Sequence, residues 1–165
     1  MRCFLDRDGI LNYDYGYVGT LQRFKWIDQV FPVLSLLAAR GYSLAIVTNQ
    51  SGLARNYYTL SDFYDISFYM LDYLHKVHGL SVEINFCPHH PGSSCQCRKP
   101  LPGMLLRYKI TEMDIMIGDQ SSDMEAAATA GIKNRWLVSP IPLGPFTHHS
   151  TTLQELYMAM TMGLL

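Results

Sequence analysis

The stretch that most restricts what this chain can fold into is Cys3-Phe4-Leu5-Asp6-Arg7-Asp8-Gly9, a short apolar run that ends in two acids and a glycine. Such a run reads as a buried strand that leaves its sheet through a tight turn, with the glycine allowing the sharp exit. Side chains alternate along a strand, so Asp6 and Asp8 emerge on the same side of its end. Two ionised carboxylates that close repel each other, and a bare pair calls for a cation or a shared proton. A hard divalent ion such as Mg²⁺, bound by one or two carboxylates together with phosphate oxygens, resolves the conflict. A polar strand end entering a turn accounts for the same residues, so the residues at the ends of the other strands decide between the two readings.

Several further segments read as strands and helices in alternation. Pro32 to Arg40 has a helical apolar face and stops at Gly41, and Tyr42 to Val47 is a buried strand followed by the polar loop Thr48-Asn49-Gln50-Ser51-Gly52. Thr59 with Asp62 forms a box-like helix start, and Leu60, Phe63, Ile66, Met70, Leu74 and Val77 recur at helical spacing up to Gly79. Tyr64, Phe68, Tyr69 and Tyr73 on that helix read as packing residues. Val82 to Phe86 is a third strand, Pro102 to Tyr108 a short helix, Ile115 to Ile117 a fourth strand ending in Gly118-Asp119. Ser121 to Ala130 is a small-residue helix and Asn134 to Val138 a fifth strand; a Pro-rich loop and a last helix, Thr152 to Met162, close the chain. The alternation predicts an α/β fold: a Rossmann-like three-layer sandwich with a mostly parallel sheet. Ligands of such sheets sit beyond the carboxyl ends of the strands, which is where every polar motif of this chain falls.

At 165 residues the chain reads as a single domain, 1–165, and as a monomer, since no heptad or long apolar edge is visible. Its 13 basic and 14 acidic side chains nearly cancel without a basic run, which argues against nucleic acid and anionic membranes as partners. A strand that begins almost at Met1 leaves no room for a signal peptide, and no apolar run reaches the ~18 residues of a membrane span. A cytoplasmic location is therefore expected. In a reducing compartment Cys87, Cys95 and Cys97 read as metal ligands more readily than as disulfides, whereas Cys3 reads as a buried small apolar residue. Cys87-x-His89-x5-Cys95-x-Cys97 offers three thiolates and an imidazole for tetrahedral Zn²⁺. The spacing departs from C-x2-C, so zinc and free thiols both stay open on spacing alone. His90 reads as a non-ligand, and His148 and His149 as solvated loop residues.

Four strand-end motifs stand together: Asp6/Asp8, Thr48/Asn49, Arg98-Lys99-Pro100, and Gly118-Asp119 with Asp123. Their order resembles that of the haloacid dehalogenase-like phosphohydrolases, over roughly residues 3 to 138. The resemblance implies Asp6 as nucleophile forming an aspartyl-phosphate and Asp8 as general acid and base. It implies Mg²⁺ held by Asp6, the main-chain carbonyl of Asp8 and Asp119, with Thr48, Asn49 and Lys99 on the phosphoryl group. Asp123 would be a partner behind the metal site or an acid at a helix start. Within that superfamily Phe4 to Gly9, Asp14-Tyr15-Gly16-Tyr17-Val18, Thr48 to Arg55, Cys87-Pro88-His89-His90-Pro91 and Cys97-Arg98-Lys99-Pro100 look like the heptose bisphosphate phosphatases. That likeness implies a sugar phosphate, the 7-phosphate of a heptose 1,7-bisphosphate, as substrate. Its contacts would be Asp14, Tyr15, Gly16, Tyr17, Thr48, Asn49, Gln50, Ser51, Arg98 and Lys99. It also implies a structural zinc at Cys87, His89, Cys95 and Cys97 that holds Arg98 and Lys99 over the substrate. No large cap domain fits between the motifs, so an open site is expected.

Two features depart from the heptose pattern: a zinc loop of only five residues between His89 and Cys95, as in histidinol-phosphate phosphatases, and Gln120 where both groups carry Lys or Arg. A histidinol-phosphate or other small phosphomonoester phosphatase is therefore the alternative enzyme. A phosphoacceptor or zinc-stabilised interaction domain without turnover is the alternative of another kind, and Asp8 speaks against it.

Overall fold

A computed structural model describes residues 1–164. The chain runs β1 (Arg2–Leu5), α1 (Val30–Ala39), β2 (Ser43–Asn49), α2 (Leu60–His78), β3 (Val82–Cys87), β4 (Ile115–Gly118), α3 (Ser121–Thr129), β5 (Asn134–Val138), β6 (His148–Ser150) and α4 (Leu153–Thr161). The strands form one six-stranded sheet in the order β3-β2-β1-β4-β5-β6. All of its pairings are parallel, as the alternation of strands and helices demands. From β1 the chain first builds one half of the sheet through β2 and β3, then returns to lay β4 on the other side of β1. That reversal opens the crevice between the carboxyl ends of β1 and β4 where ligands of such sheets bind.

Strand periodicity sorts the core into two layers. Cys3, Leu5, Leu44, Ile46, Ile115, Ile117, Trp136 and Val138 face one side, where they pack with Val33, Leu34 and Leu37 of α1, Ile66, Met70 and Leu74 of α2, and Leu153, Leu156 and Met160 of α4. The intervening residues Phe4, Ala45, Val47, Met116 and Leu137 face the other side and pack on Met124, Ala126 and Ala127 of α3 with Met104 and Leu105. Small side chains on α3 let it lie close to the sheet, which brings its N-terminus to the crevice. This is the expected three-layer α/β sandwich, and between β1 and α1 there is a flap, residues 10–19, and a 3-10 turn, Leu21–Arg23, in place of a cap domain.

Several local expectations need correction. Pro102 to Tyr108 forms only a 3-10 turn, Leu105–Arg107, and Thr48 and Asn49 are the last residues of β2 and not of a loop. His148 and His149 are not solvated loop residues. They lie on β6, a three-residue parallel edge strand, where His148 stacks on Trp136 with ring centroids 4.7 Å apart. Burial there lowers the imidazole's affinity for a proton. On α2, Tyr73 packs against Trp26 and Phe31, whereas Tyr64 and Phe68 are exposed.

Candidate active site and metal centres

Asp6 follows β1 directly, tied to β4 by its amide, which donates to the Ile117 carbonyl at 3.0 Å. Gly9, with φ +83°, turns the chain away, and a Cβ there would fall 2.3 Å from Oδ2 of Asp119. The glycine is thus required twice, for the turn and for the approach of Asp119. Oxygens of Asp6, Asp119 and Asp123 lie within 4.8 Å of one another. Burial, opposed by Lys99 and reinforced by the neighbouring acids, pushes the Asp6 carboxyl well above its ordinary range. Burial and then Asp123 push Asp119 up to about 6.

Lys99 is buried; its ammonium pairs with the carboxylates of Asp6 at 3.0 Å and Asp123 at 2.5 Å and donates to the Val47 carbonyl at 2.8 Å. Its main chain is clasped by Asn49, whose Nδ2 donates to the Lys99 carbonyl while its Oδ1 accepts from the Lys99 amide, both at 3.0 Å. Asp123 sits at the start of α3, where it accepts from the Gln120 amide at 3.0 Å. It is therefore both a helix-start acid and the partner of Lys99. Gln120 Nε2 donates to Oδ2 of Asp119 at 2.8 Å.

Asp8 is held from several sides. Arg7 Nη2 donates to both its oxygens at 2.9 Å, Asn12 Nδ2 to Oδ1 at 2.9 Å, and Gln50 Nε2 to Oδ2 at 2.9 Å. Arg7, fully buried, also donates to the Val18 carbonyl at 2.7 Å and so pins the flap. Arg7, Asn12 and Tyr58, which supports Gln50 at 2.5 Å, are not signalled by any motif of the sequence. The one available signal is an arginine between two acids.

Among the described residues, only Arg7 and Lys99 supply buried counter-charge to Asp6, Asp8, Asp119 and Asp123. Oδ1 of Asp119 is buried without a hydrogen-bond partner. Surplus negative charge and an unpartnered carboxylate oxygen are what a hard divalent cation satisfies, so the donor set fits Mg²⁺.

These groups floor an open cleft of about 320 Å³, the lower end of small-ligand sites. Asp14, Gly16, Tyr17, Thr48, Asn49, Gln50, Ser51, Arg98 and Lys99 all line it. Tyr15 does not; it stacks on Tyr13 and is exposed. Nη1 of Arg98 is buried without a partner, a cationic donor left over for an anion.

Beside the cleft, ligand atoms of Cys87, His89, Cys95 and Cys97 cluster within 4.8 Å. Sγ of Cys87 is 3.8 Å from Cys95 and 3.2 Å from Cys97, and Nδ1 of His89 is 3.4 Å and 3.2 Å from Cys87 and Cys97. A tetrahedron of ~2.3 Å Zn–S bonds has edges of about 3.8 Å, so the cluster is close to the spacing zinc imposes. Cys87 ends β3 and accepts the Gln50 amide on its carbonyl at 2.8 Å, which couples the cluster to the Thr48–Ser51 segment.

No family model matches the chain. Curated relatives do. Over 146 residues, 85% of this chain and 84% of the relative, it is 42% identical to D-glycero-beta-D-manno-heptose-1,7-bisphosphate 7-phosphatase of Helicobacter pylori. Over 142 residues, 82% of this chain and 81% of the relative, it is 44% identical to D-glycero-alpha-D-manno-heptose-1,7-bisphosphate 7-phosphatase of Campylobacter jejuni. A crystal structure of D,D-heptose 1,7-bisphosphate phosphatase from B. bronchiseptica, complexed with magnesium and phosphate, superimposes with TM-score 0.84 at 29% identity, covering 98% of this chain and 99% of that one. With this identity over most of both lengths, and a phosphatase fold whose acids gather at the switch point, the chain belongs to the heptose 1,7-bisphosphate 7-phosphatase family of haloacid dehalogenase-like phosphomonoester hydrolases.

Proposed function

We propose that this protein hydrolyses the 7-phosphate of D-glycero-D-manno-heptose 1,7-bisphosphate with Mg²⁺, acting as a monomeric single domain over residues 1–165 in the cytoplasm. The observation that carries the chemistry is the position of Asp6: at the strand end, 3.0 Å from Lys99, among the acids that fit a cation, with Asp8 two residues on. The substrate is supported by relatives at 42–44% identity. Both anomers occur among their names, so each belongs in any assay.

Asp6 attacks phosphorus; the ester bond breaks, and its electron pair leaves on the sugar oxygen. Asp8 gives that oxygen a proton. A water then attacks the aspartyl-phosphate, Asp8 takes its proton, and inorganic phosphate departs with Asp6 restored. Asp6, the main-chain carbonyl of Asp8 and Asp119 would hold Mg²⁺, whose positive charge would offset the repulsion between nucleophile and phosphate. Thr48 accepts from Gln50 on Oγ1 at 2.9 Å, which leaves its hydroxyl hydrogen for a phosphoryl oxygen. Lys99 opposes the burial that favours the neutral form of Asp6 and orients its carboxylate, and Arg98 offers Nη1 to the substrate. Zinc at Cys87, His89, Cys95 and Cys97 would hold the segment that carries Arg98 and Lys99.

The test is phosphate release with Mg²⁺ from both heptose 1,7-bisphosphate anomers, histidinol phosphate and fructose 1,6-bisphosphate. A preference of about a hundredfold in kcat/KM for one heptose anomer, about 2.7 kcal/mol of transition-state discrimination, is expected. Equal, slow turnover of all of them would remove the heptose assignment.

A further inference from the structure

The proposal that Asp8 handles the proton raises the question of what keeps its carboxyl aimed, and one side chain behind it bears on this. Tyr58 lies between the Thr48–Arg55 segment and α2 and is 7% exposed. Its ring is held between two glycines: a Cβ on Gly19 of the flap would fall 1.9 Å from Cδ1, and one on Gly52 2.1 Å from Cε1. Flap and loop thus close on the ring through bare backbone. The Tyr58 hydroxyl donates to Oε1 of Gln50 at 2.5 Å, and Nε2 of Gln50 donates to Oδ2 of Asp8 and to Oγ1 of Thr48, each at 2.9 Å.

Gln50 therefore uses both amide hydrogens within the protein and keeps none for substrate. An amide has two orientations that differ little in shape, and the hydrogen-bond network chooses between them. Reversed, Gln50 would present Oε1 to Asp8. That acceptor would repel ionised Asp8, or would take the proton of neutral Asp8 and hold it away from the leaving oxygen. A donor fixed on Oε1 excludes this state, and the clamped Tyr58 is that donor.

Resting on the reading of Asp8 as the proton-handling group, we infer that Tyr58 and Gln50 are positioning residues. The Tyr58 hydroxyl pins the Gln50 amide with its N–H toward Asp8, so that the proton of Asp8 stays turned to the departing sugar oxygen.

Tyr58→Phe keeps the ring between its glycines and removes only the hydroxyl. kcat/KM for a sugar phosphate, whose alkoxide needs a proton, is expected to fall about tenfold. For p-nitrophenyl phosphate, whose phenolate leaves without one, the fall is expected to stay within about twofold. Adding Tyr58→Phe to Gln50→Ala should cost nothing further on the sugar phosphate, since the two act in series. Equal losses on both substrates, no loss on the sugar phosphate, or additive losses in the double variant would overturn the inference. Asp8→Asn is measured beside them in a single turnover, as the rate of leaving-group release from each substrate. If it lacks the alkyl-over-aryl bias, the reading of Asp8 itself has failed; if it shows the bias and Tyr58→Phe does not, only the clamp has failed.

Discussion

Lys99 shows how strongly single residues are committed in this site. Its ammonium is surrounded by Asp6, Asp123 and the Val47 carbonyl, with the side chain 2% exposed. Removing it strands two carboxylates in the interior, and breaking a buried pair costs about 3–5 kcal/mol. Lys99→Met should lose about 3 kcal/mol in urea unfolding together with activity, and adding Asp123→Asn should return part of the stability and none of the activity. An unchanged midpoint in Lys99→Met would contradict the assignment. At Gly9 both backbone and space are taken, with φ +83° and a Cβ position 2.3 Å from Asp119 Oδ2. Gly9→Ala is therefore expected to raise the Mg²⁺ concentration needed for half-maximal rate more than tenfold, as read from a metal titration. Asp6, Asp8, Lys99 and Asp119 were legible in the sequence because they stand in short strings of known order beside apolar strands. Arg7, Asn12 and Tyr58 were not, because their roles exist only through partners that the flap and the second loop bring to them.

At the scale of elements, α2 begins with a complete box. Thr59 Oγ1 accepts from the Asp62 amide at 3.2 Å, and Asp62 accepts from the Thr59 amide at 2.7 Å. Thr59→Ala should cost about 1 kcal/mol. The hydrogen bonds from Thr59 lower the Asp62 pKa below its ordinary 3.8. The stability that this carboxylate adds is thus complete above about pH 4 and is lost as pH falls through its lower folded value. The Tm gap between the protein and Asp62→Ala should accordingly be constant near neutrality and close in acid; a gap that widened in acid would contradict the box. This helix start was legible because its signal is local. The edge strand β6 was not, since His148-His149-Ser150 has no apolar run and depends on Trp136, on Ser139 and on pairing with β5. The cluster of Cys87, His89, Cys95 and Cys97, proposed above as a zinc site, belongs to this scale as well. Chelation of zinc, followed by thermal melting and limited proteolysis, should lower Tm, open the 88–98 segment to cleavage and abolish activity by releasing Arg98 and Lys99. Full activity in metal-free protein would exclude a zinc role.

For the whole molecule, the order β3-β2-β1-β4-β5-β6 explains why motifs scattered from Asp6 to Asp119 share one cleft. Each lies at or beyond the end of a parallel strand, and all parallel strands deliver their carboxyl ends to the same edge. The fold class was legible because alternating apolar runs and helical faces leave a mostly parallel sheet as the simplest solution. The division into two layers was also implicit in the residues of β1, where Cys3 and Leu5 face one side and Phe4 the other. What the pattern lacked was the lateral information: which loops touch, that the flap is pinned through Val18, and that α3 comes close enough for Asp123 to reach Lys99. Without a cap domain the cleft stays open, and no helix of the described residues is long and apolar enough to cross a membrane.

The fate of the phosphoryl group in Asp8→Asn decides whether Asp6 carries it and Asp8 releases it. With p-nitrophenyl phosphate and Mg²⁺, the leaving group needs no proton, so Asp6 can still be phosphorylated, whereas hydrolysis lacks its base. The expected result is a burst of about one nitrophenolate per protein followed by a stall, with a phosphoryl group on the peptide that carries Asp6 after acid quench, and no burst when Asp6→Asn is added. Steady turnover at the unmodified rate in Asp8→Asn, or a burst that survives Asp6→Asn, would contradict it.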